Sequence, residues 1–180
     1  TAVSMVDDVT NLLDLTVNKT GSTATFVEDL TLAGALAVQA GTMYIGDYDL
    51  SVGTTTNISA GATLDADYSD ATKQRTFTGA VTLNGTISSS GPRHATGNNN
   101  SFGAAITFAA TGILNIANSV TTIAAAPAAF PAGASMDASG SDLTYTSTAF
   151  DFSNGTITTN SNTDLSLTTG AGNVTLPNSI

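Results

Sequence analysis

Three closely spaced aspartates, Asp65, Asp67 and Asp70, carry the most recognisable chemistry in this chain. Hard carboxylate oxygens gathered at short intervals suit calcium, and Asp47 with Asp49 could add ligands. The pattern is not an EF-hand, because the central Gly and the terminal Glu are missing. In an extended strand Asp65 and Asp67 share a face, which makes either a cation site or a solvated edge. Aspartate is also a common turn residue. The three are therefore calcium candidates, and no metal site is assigned.

Paired carboxylates could instead cleave glycosides. Asn162-Thr163-Asp164 matches the Asn-Thr-Asp of polygalacturonase-type enzymes, but their later Gly-His-Gly and Arg-x-Lys elements have no counterpart. The other acidic pair, Asp7-Asp8, precedes the motif instead of following it. Pectate lyases set a basic Arg beside calcium-binding carboxylates, and here only Arg75 and Arg93 are offered. His94 is the sole histidine, sits in a Gly/Asn-rich stretch, and has no Gly-x-Ser-x-Gly elbow to serve. The absence of Cys excludes thiol catalysis, disulfides and Cys-zinc sites. No Gly-rich phosphate loop followed by Lys and no dinucleotide fingerprint occurs. The expectation is a protein that is not an enzyme, with no catalytic or cofactor-binding residues.

Sugar stacking is also poorly supplied. Aromatics make up 6% of the chain with no Trp, leaving Tyr44, Tyr48 and Tyr68 as the candidates. Asn-x-Ser/Thr occurs at Asn18, Asn57, Asn84, Asn99, Asn154 and Asn173. Chance alone gives about four such sites in a chain this rich in Ser and Thr, so they permit glycosylation without predicting it.

The composition explains what must position these residues. Only 10% of the 180 residues are charged while 41% are hydrophobic, so the chain is neither a charged disordered tail nor an ordinary charged-surface domain. Thr, Ser, Asn, Gly and Ala make up the balance, and these suit pleated half-buried surfaces and tight turns. A net charge of -10 repels phosphate backbones and anionic lipid, so nucleic acid and membrane surfaces are not expected partners. No apolar run is long enough to span a membrane. The chain starts at Thr1, as a processed N-terminus would.

Residues 1–14 read as a short helix or strand that caps the domain or is exchanged into a neighbour. Ser4 with Asp7 fits a capping pattern, and Met5, Val6, Val9, Leu12 and Leu13 share a helical face. From Leu15 onward, period-2 alternation dominates: Leu30/Leu32, Leu36/Val38, Leu50/Val52, Val81/Leu83, Ile106/Phe108, Leu143/Tyr145 and others. Gly34, Gly61, Gly79, Gly103 and Gly133 recur ahead of strand starts at gaps of 27, 18, 24 and 30. Gly61-Ala-Thr-Leu-Asp-Ala matches Gly133-Ala-Ser-Met-Asp-Ala, and Gly79-Ala-Val-Thr-Leu matches Gly103-Ala-Ala-Ile-Thr-Phe. Such recurrence predicts a solenoid of coils of about 25 residues, seven in all, stacked over one narrow core. Loops or insertions are expected at 67–76 and 88–103, which hold Lys73, Arg75, Arg93 and His94. The Ala/Pro-rich stretch at 124–133 reads as an extended crossing within the single domain.

The stretch from Gly34 to Gly91 carries Gly46-Asp-Tyr-Asp-Leu-Ser-Val, Ile58-Ser-Ala-Gly-Ala-Thr-Leu-Asp-Ala and Val81-Thr-Leu-Asn-Gly-Thr-Ile. It resembles the right-handed parallel β-helices of bacterial surface proteins, such as filamentous-haemagglutinin-like adhesins and autotransporter passengers. The resemblance covers about a third of the chain and implies an exported, structural or adhesive role, with no functional residue carried over. The expected fold is thus an all-β right-handed parallel β-helix, with a jelly-roll sandwich of donor-strand type as the alternative. The expected function is a secreted or cell-surface structural subunit that self-assembles, head to tail or by strand exchange, into a filament, sheath or surface layer. An adhesin or carbohydrate-binding module using the two loops, with surface glycans as partners, is the alternative, and a polysaccharide-degrading enzyme the remote one.

Overall fold

The computed structural model describes residues 12–125, 130–147, 150–152, 154–169 and 174–175. Eighteen short strands follow one another with no helix between them among the described residues. Coil by coil, they are β1 (Leu15–Thr25); β2 (Leu30–Leu32) and β3 (Leu36–Tyr44); then β4 (Leu50–Val52), β5 (Thr56–Ile58) and β6 (Thr63–Asp65). The third coil holds β7 (Arg75–Phe77), β8 (Val81–Leu83) and β9 (Thr86–Ser88), and the fourth β10 (Asn100–Phe108) and β11 (Ile113–Asn115). Then come β12 (Val120–Ala125) and β13 (Ser135–Asp137), followed by β14 (Asp142–Ser147), β15 (Phe150–Asp151) and β16 (Thr156–Thr158), and finally β17 (Asp164–Thr169) and β18 (Val174–Thr175).

Every ladder between these strands is parallel. That pattern excludes the jelly-roll alternative, whose strands run antiparallel. The chain is a parallel β-solenoid of about six turns with three strand positions per turn. The first face stacks β2, β4, β7, the start of β10, β12, β14 and β17. The second stacks the starts of β1 and β3, then β5, β8 and the end of β10. At the matching chain position of the last two coils, β15 pairs β18 in a separate two-stranded sheet. The third face stacks the ends of β1 and β3, then β6, β9, β11, β13 and β16. First-face strand starts advance by 20, 25, 25, 20, 22 and 22 residues, somewhat less than the sequence suggested.

The alternation read from the sequence is the alternation between core and solvent. Leu30, Leu32, Leu50, Val52, Val38, Ile58, Leu64 and Ile87 are buried, while the residues between them are outward. Aromatic columns thicken the core: Phe77 stacks on Phe102 at 4.9 Å, and Phe108, Phe130 and Phe152 follow at 4.4 and 5.1 Å. Each buried large side chain contributes about 1.5–3 kcal/mol against exposure, which offsets the ordering of a chain with few charged pairs.

Two glycine ladders turn the corners. Gly34, Gly53, Gly79 and Gly103 stand between the first and second faces, where a Cβ on Gly79 would lie 2.0 Å from the Thr54 carbonyl oxygen. Gly41, Gly85, Gly112 and Gly155 stand between the second and third faces, where a Cβ on Gly85 would lie 2.3 Å from the carbonyl oxygens of Ala62 and Ser59. Glycine is required because neighbouring coils approach backbone to backbone.

The expected N-terminal cap falls mostly on residues 1–11, which lie outside the described residues. Of the rest, Leu12 makes an isolated parallel bridge with Leu32, and Leu13 is exposed. The expected crossing at 124–133 lies partly outside them as well.

Candidate functional site

Two long connections lie at the corner between the third and first faces. They join β6 to β7 and β9 to β10, and they sit on adjacent coils. Both are shorter than the sequence suggested. Arg75 and Thr76 belong to β7, Ser88 to β9, and residues 100–103 to β10. The alternation signal failed at Arg75 and Asn100 because both are polar residues pointing inward, where the pattern demands an apolar one.

The acidic side chains of this corner are spent on fastening loops. Asp47 Oδ1 accepts from the backbone N–H groups of Ser69 and Asp70, and Oδ2 accepts from the Ser69 hydroxyl. These bonds hold the Asp47 carboxyl below the usual carboxylate range, those from the Ser69 side chain and backbone contributing most. Asp49 accepts from Gln74 N–H and donates its own N–H to Asp29, so one coil caps the next. Asp67 Oδ1 accepts from the Ser88 hydroxyl and from the N–H and hydroxyl of Ser90. Asp70 closes its own turn on the N–H and hydroxyl of Thr72, which lowers its pKa. Asp65 accepts from Asp67 N–H at 3.4 Å, while burial raises its pKa.

The three calcium candidates are therefore occupied with separate partners. Among the described residues no three His, Cys, Asp or Glu side chains gather closely enough to hold a metal ion.

The second loop is fastened similarly. Asn99 is fully buried; its amide donates to the carbonyls of Ala71 and Lys73, and its oxygen accepts from His94 and Val120 N–H. His94 Nδ1 accepts from Thr96 N–H, so the histidine closes a turn of its own loop. Arg93 leaves this loop and crosses later coils. Its guanidinium donates to the carbonyls of Gly140 and Asn162 and pairs with Asp142 at 2.6 Å.

The motif Asn162-Thr163-Asp164 lies at the same corner three coils further on. Thr163 Oγ1 bonds the backbone of Ala138, Gly140 and Asn160, so it serves the turn. Asp164 is exposed and in register with Asp142 of the neighbouring strand. Pro92, Arg93, Asn118, Gly140, Asn162 and Asp164 line an open groove there. Asp7 and Asp8 lie outside the described residues.

Sequence reasoning missed a polar column inside the core. Arg75, Asn100 and Thr121 occupy equivalent inward positions of consecutive first-face strands, between Leu50 below and Leu143 above. Arg75 is fully buried and donates to the carbonyls of Ala66, Gln74 and Gly46, while its guanidinium carbon lies 5.0 Å from the centroid of the Tyr68 ring. Desolvation lowers its pKa, with Asp49, Tyr68, Asp47 and Asp67 pulling it back. Asn100 bonds Ser89, Ser119 and Thr121, and Ser141 bonds the Ile116 carbonyl. A buried Arg and Asn in strands was detectable only as broken alternation.

Of the tyrosines, Tyr44 and Tyr48 are partly exposed and Tyr68 is buried against Arg75. Among the acceptor asparagines Asn18, Asn57 and Asn154 are exposed, Asn84 is half-buried, Asn99 is enclosed, and Asn173 lies outside the described residues. No helix of the described residues is long and apolar enough to cross a membrane. No family model, curated protein or solved structure matches this chain.

Proposed function

We propose that this chain is an extracellular structural subunit, without catalytic activity, that self-associates end to end through the edges of its β-stack. Leu165 carries the reading. It occupies the inward column of β17, above Leu143, yet is 41% exposed while Leu143 is 1% exposed. Among the described residues β17 has a ladder partner on one side only, so its outer edge offers unpaired backbone groups beside an apolar end. A second copy stacking in register would pair both at once, by the same geometry that joins the coils within one chain.

The corner loops support this structural reading over an adhesive one. Several of their polar groups are taken up in fastening coil to coil: Ser69 and Asp70 bond Asp47, Ser88 and Ser90 bond Asp67, and Asn99 bonds Ala71 and Lys73. Sedimentation velocity over a range of concentrations tests the proposal. The native chain is expected to form faster-sedimenting species as concentration rises, and Leu165→Asp to stay monomeric. A native chain that is monomeric at the highest concentration overturns it.

A further inference from the structure

One apolar column of the first face runs the length of the stack. It starts at Leu12 and Leu32, passes through Phe77, Phe102 and Tyr145, and ends at Leu167. Every member between the two ends is at most 1% exposed, whereas Leu12 and Leu167 are only partly buried. The two ends of the stack are therefore the two open ends of a single column.

A polar column stands one residue ahead of each first-face strand, at the corner that follows the third face. In it Asp29 Oδ1 accepts the N–H of Asp49 at 2.8 Å, Asp49 Oδ1 that of Gln74 at 2.9 Å, and Asn99 Oδ1 that of Val120 at 3.0 Å. Each of these side chains takes the backbone N–H found at the same position of the next coil. Asp142 departs from the pattern, because its carboxylate pairs with Arg93. Asp164 is the last member; it is exposed, and among the described residues no hydrogen bond or ion pair engages its carboxylate.

We propose that Asp164 is the latch of a head-to-tail joint, accepting a backbone N–H from the first coil of a second copy whose Leu12 continues the column at Leu167. The joint is a form of the end-to-end association proposed above, and it specifies which ends meet and what fastens them. A carboxylate that accepts a backbone N–H makes a charge-assisted bond, and it satisfies a donor that an open edge would leave unpaired. The carboxylate in register with Asp164, that of Asp142, is already paired with Arg93. Every ladder in the chain is parallel, so a strand that continues β17 in the same sense comes from a copy in the same orientation, whose leading end is Leu12. A two-fold contact between like ends would instead run β17 antiparallel to its copy and leave Leu12 open. Contact between unlike ends does not close on itself, so it propagates.

The test is sedimentation velocity over a concentration series, with thermal melting of each variant to establish that the fold is kept. Asp164→Ala is expected to weaken association about tenfold. Asp164→Asn keeps an acceptor of the kind Asn99 supplies and is expected to weaken it by no more than about threefold. Should Asp164→Ala misfold, Asp164→Val replaces it, because Val120 already occupies this column. Leu12→Asp and Leu165→Asp block opposite ends. Each is expected to be monomeric alone, and the two to form one-to-one dimers when mixed. Dimers of Leu12→Asp alone overturn the joint, as does association of Asp164→Ala as tight as that of the native chain; in both cases end-to-end association itself stands. A native chain that is monomeric throughout removes both.

Discussion

The Arg75 guanidinium lies 5.0 Å from the centroid of the Tyr68 ring, at the start of a short polar column within a core of mainly aliphatic and aromatic side chains. Every hydrogen bond it makes goes to a main-chain carbonyl; Ala66 belongs to the corner between β6 and β7, and Gly46 to the same corner one coil earlier, between β3 and β4. Arg75 therefore holds the loop corner from within, while the aspartates hold it from outside. A polar run of Arg75, Asn100 and Thr121 between Leu50 and Leu143 also distinguishes these coils from the others, which disfavours slipped stacking.

Arg75→Ala removes both the packing and the donors. It is expected to cost about 3–5 kcal/mol, from the cavity plus unpaired buried carbonyls. Arg75→Met restores most of the volume but no donors, so about 1–3 kcal/mol remains. Urea unfolding of the two variants separates these contributions.

Phe102 stacks on Phe77 at 4.9 Å with an interplanar angle of 9° and is 1% exposed. Phe102→Ala is expected to lose about 3–5 kcal/mol in the same assay. A loss below 1 kcal/mol would place the ring outside the core.

Gly85 and Gly61 make opposed cases. A Cβ at Gly85 meets two backbone oxygens at 2.3 Å, whereas at Gly61 it meets open space but requires a φ of +76°. Gly85→Ala is expected to cost about 3 kcal/mol through overpacking and Gly61→Ala about 1–2 kcal/mol through backbone strain. Equal melting temperatures for the two would refute the close-approach explanation.

Arg93 joins a loop to two later coils. Its ion pair with Asp142 is more than a third exposed on both sides and is worth at most about 1 kcal/mol on its own. Asp142→Asn should therefore change little. Arg93→Ala also removes the bonds to Gly140 and Asn162, and amide exchange of the last coils is expected to rise selectively, with the first coils unchanged.

The lowered pKa of Asp47 gives a pH dependence with a definite sign. Its folded value lies below the ordinary 3.8, so its bonds to Ser69 and Asp70 contribute fully above that pH. The contribution is lost as pH falls through the folded value. Amide exchange in residues 69–74 should thus rise on strong acidification in the native chain, and Asp47→Asn should abolish most of that change.

The all-β character and the stacked coils were legible because burial in a solenoid follows strand alternation directly, as at Leu50/Val52 and Val81/Leu83. The repeat length was blurred because Gly34, Gly79 and Gly103 belong to one corner, whereas Gly61 and Gly133 lead into β6 and β13 beyond another. Counting them as one series made the gaps irregular. The matched Gly61 and Gly133 hexapeptides do occupy equivalent coil positions, and in each the fifth residue is an aspartate accepting the N–H two residues on. The aspartates stand out in the sequence, but composition cannot distinguish a carboxylate awaiting calcium from one accepting backbone N–H groups, as Asp65 and Asp70 do. The buried polar column was illegible, because an inward Arg contradicts the very pattern used to find strands.

End-to-end assembly is tested most directly by negative-stain electron microscopy of the purified chain at high concentration. Stacked subunits of about six turns should give unbranched filaments with an axial repeat of roughly 30 Å per subunit, absent in Leu165→Asp. Separate short rods in the native sample, indistinguishable from those of the variant, would contradict the account.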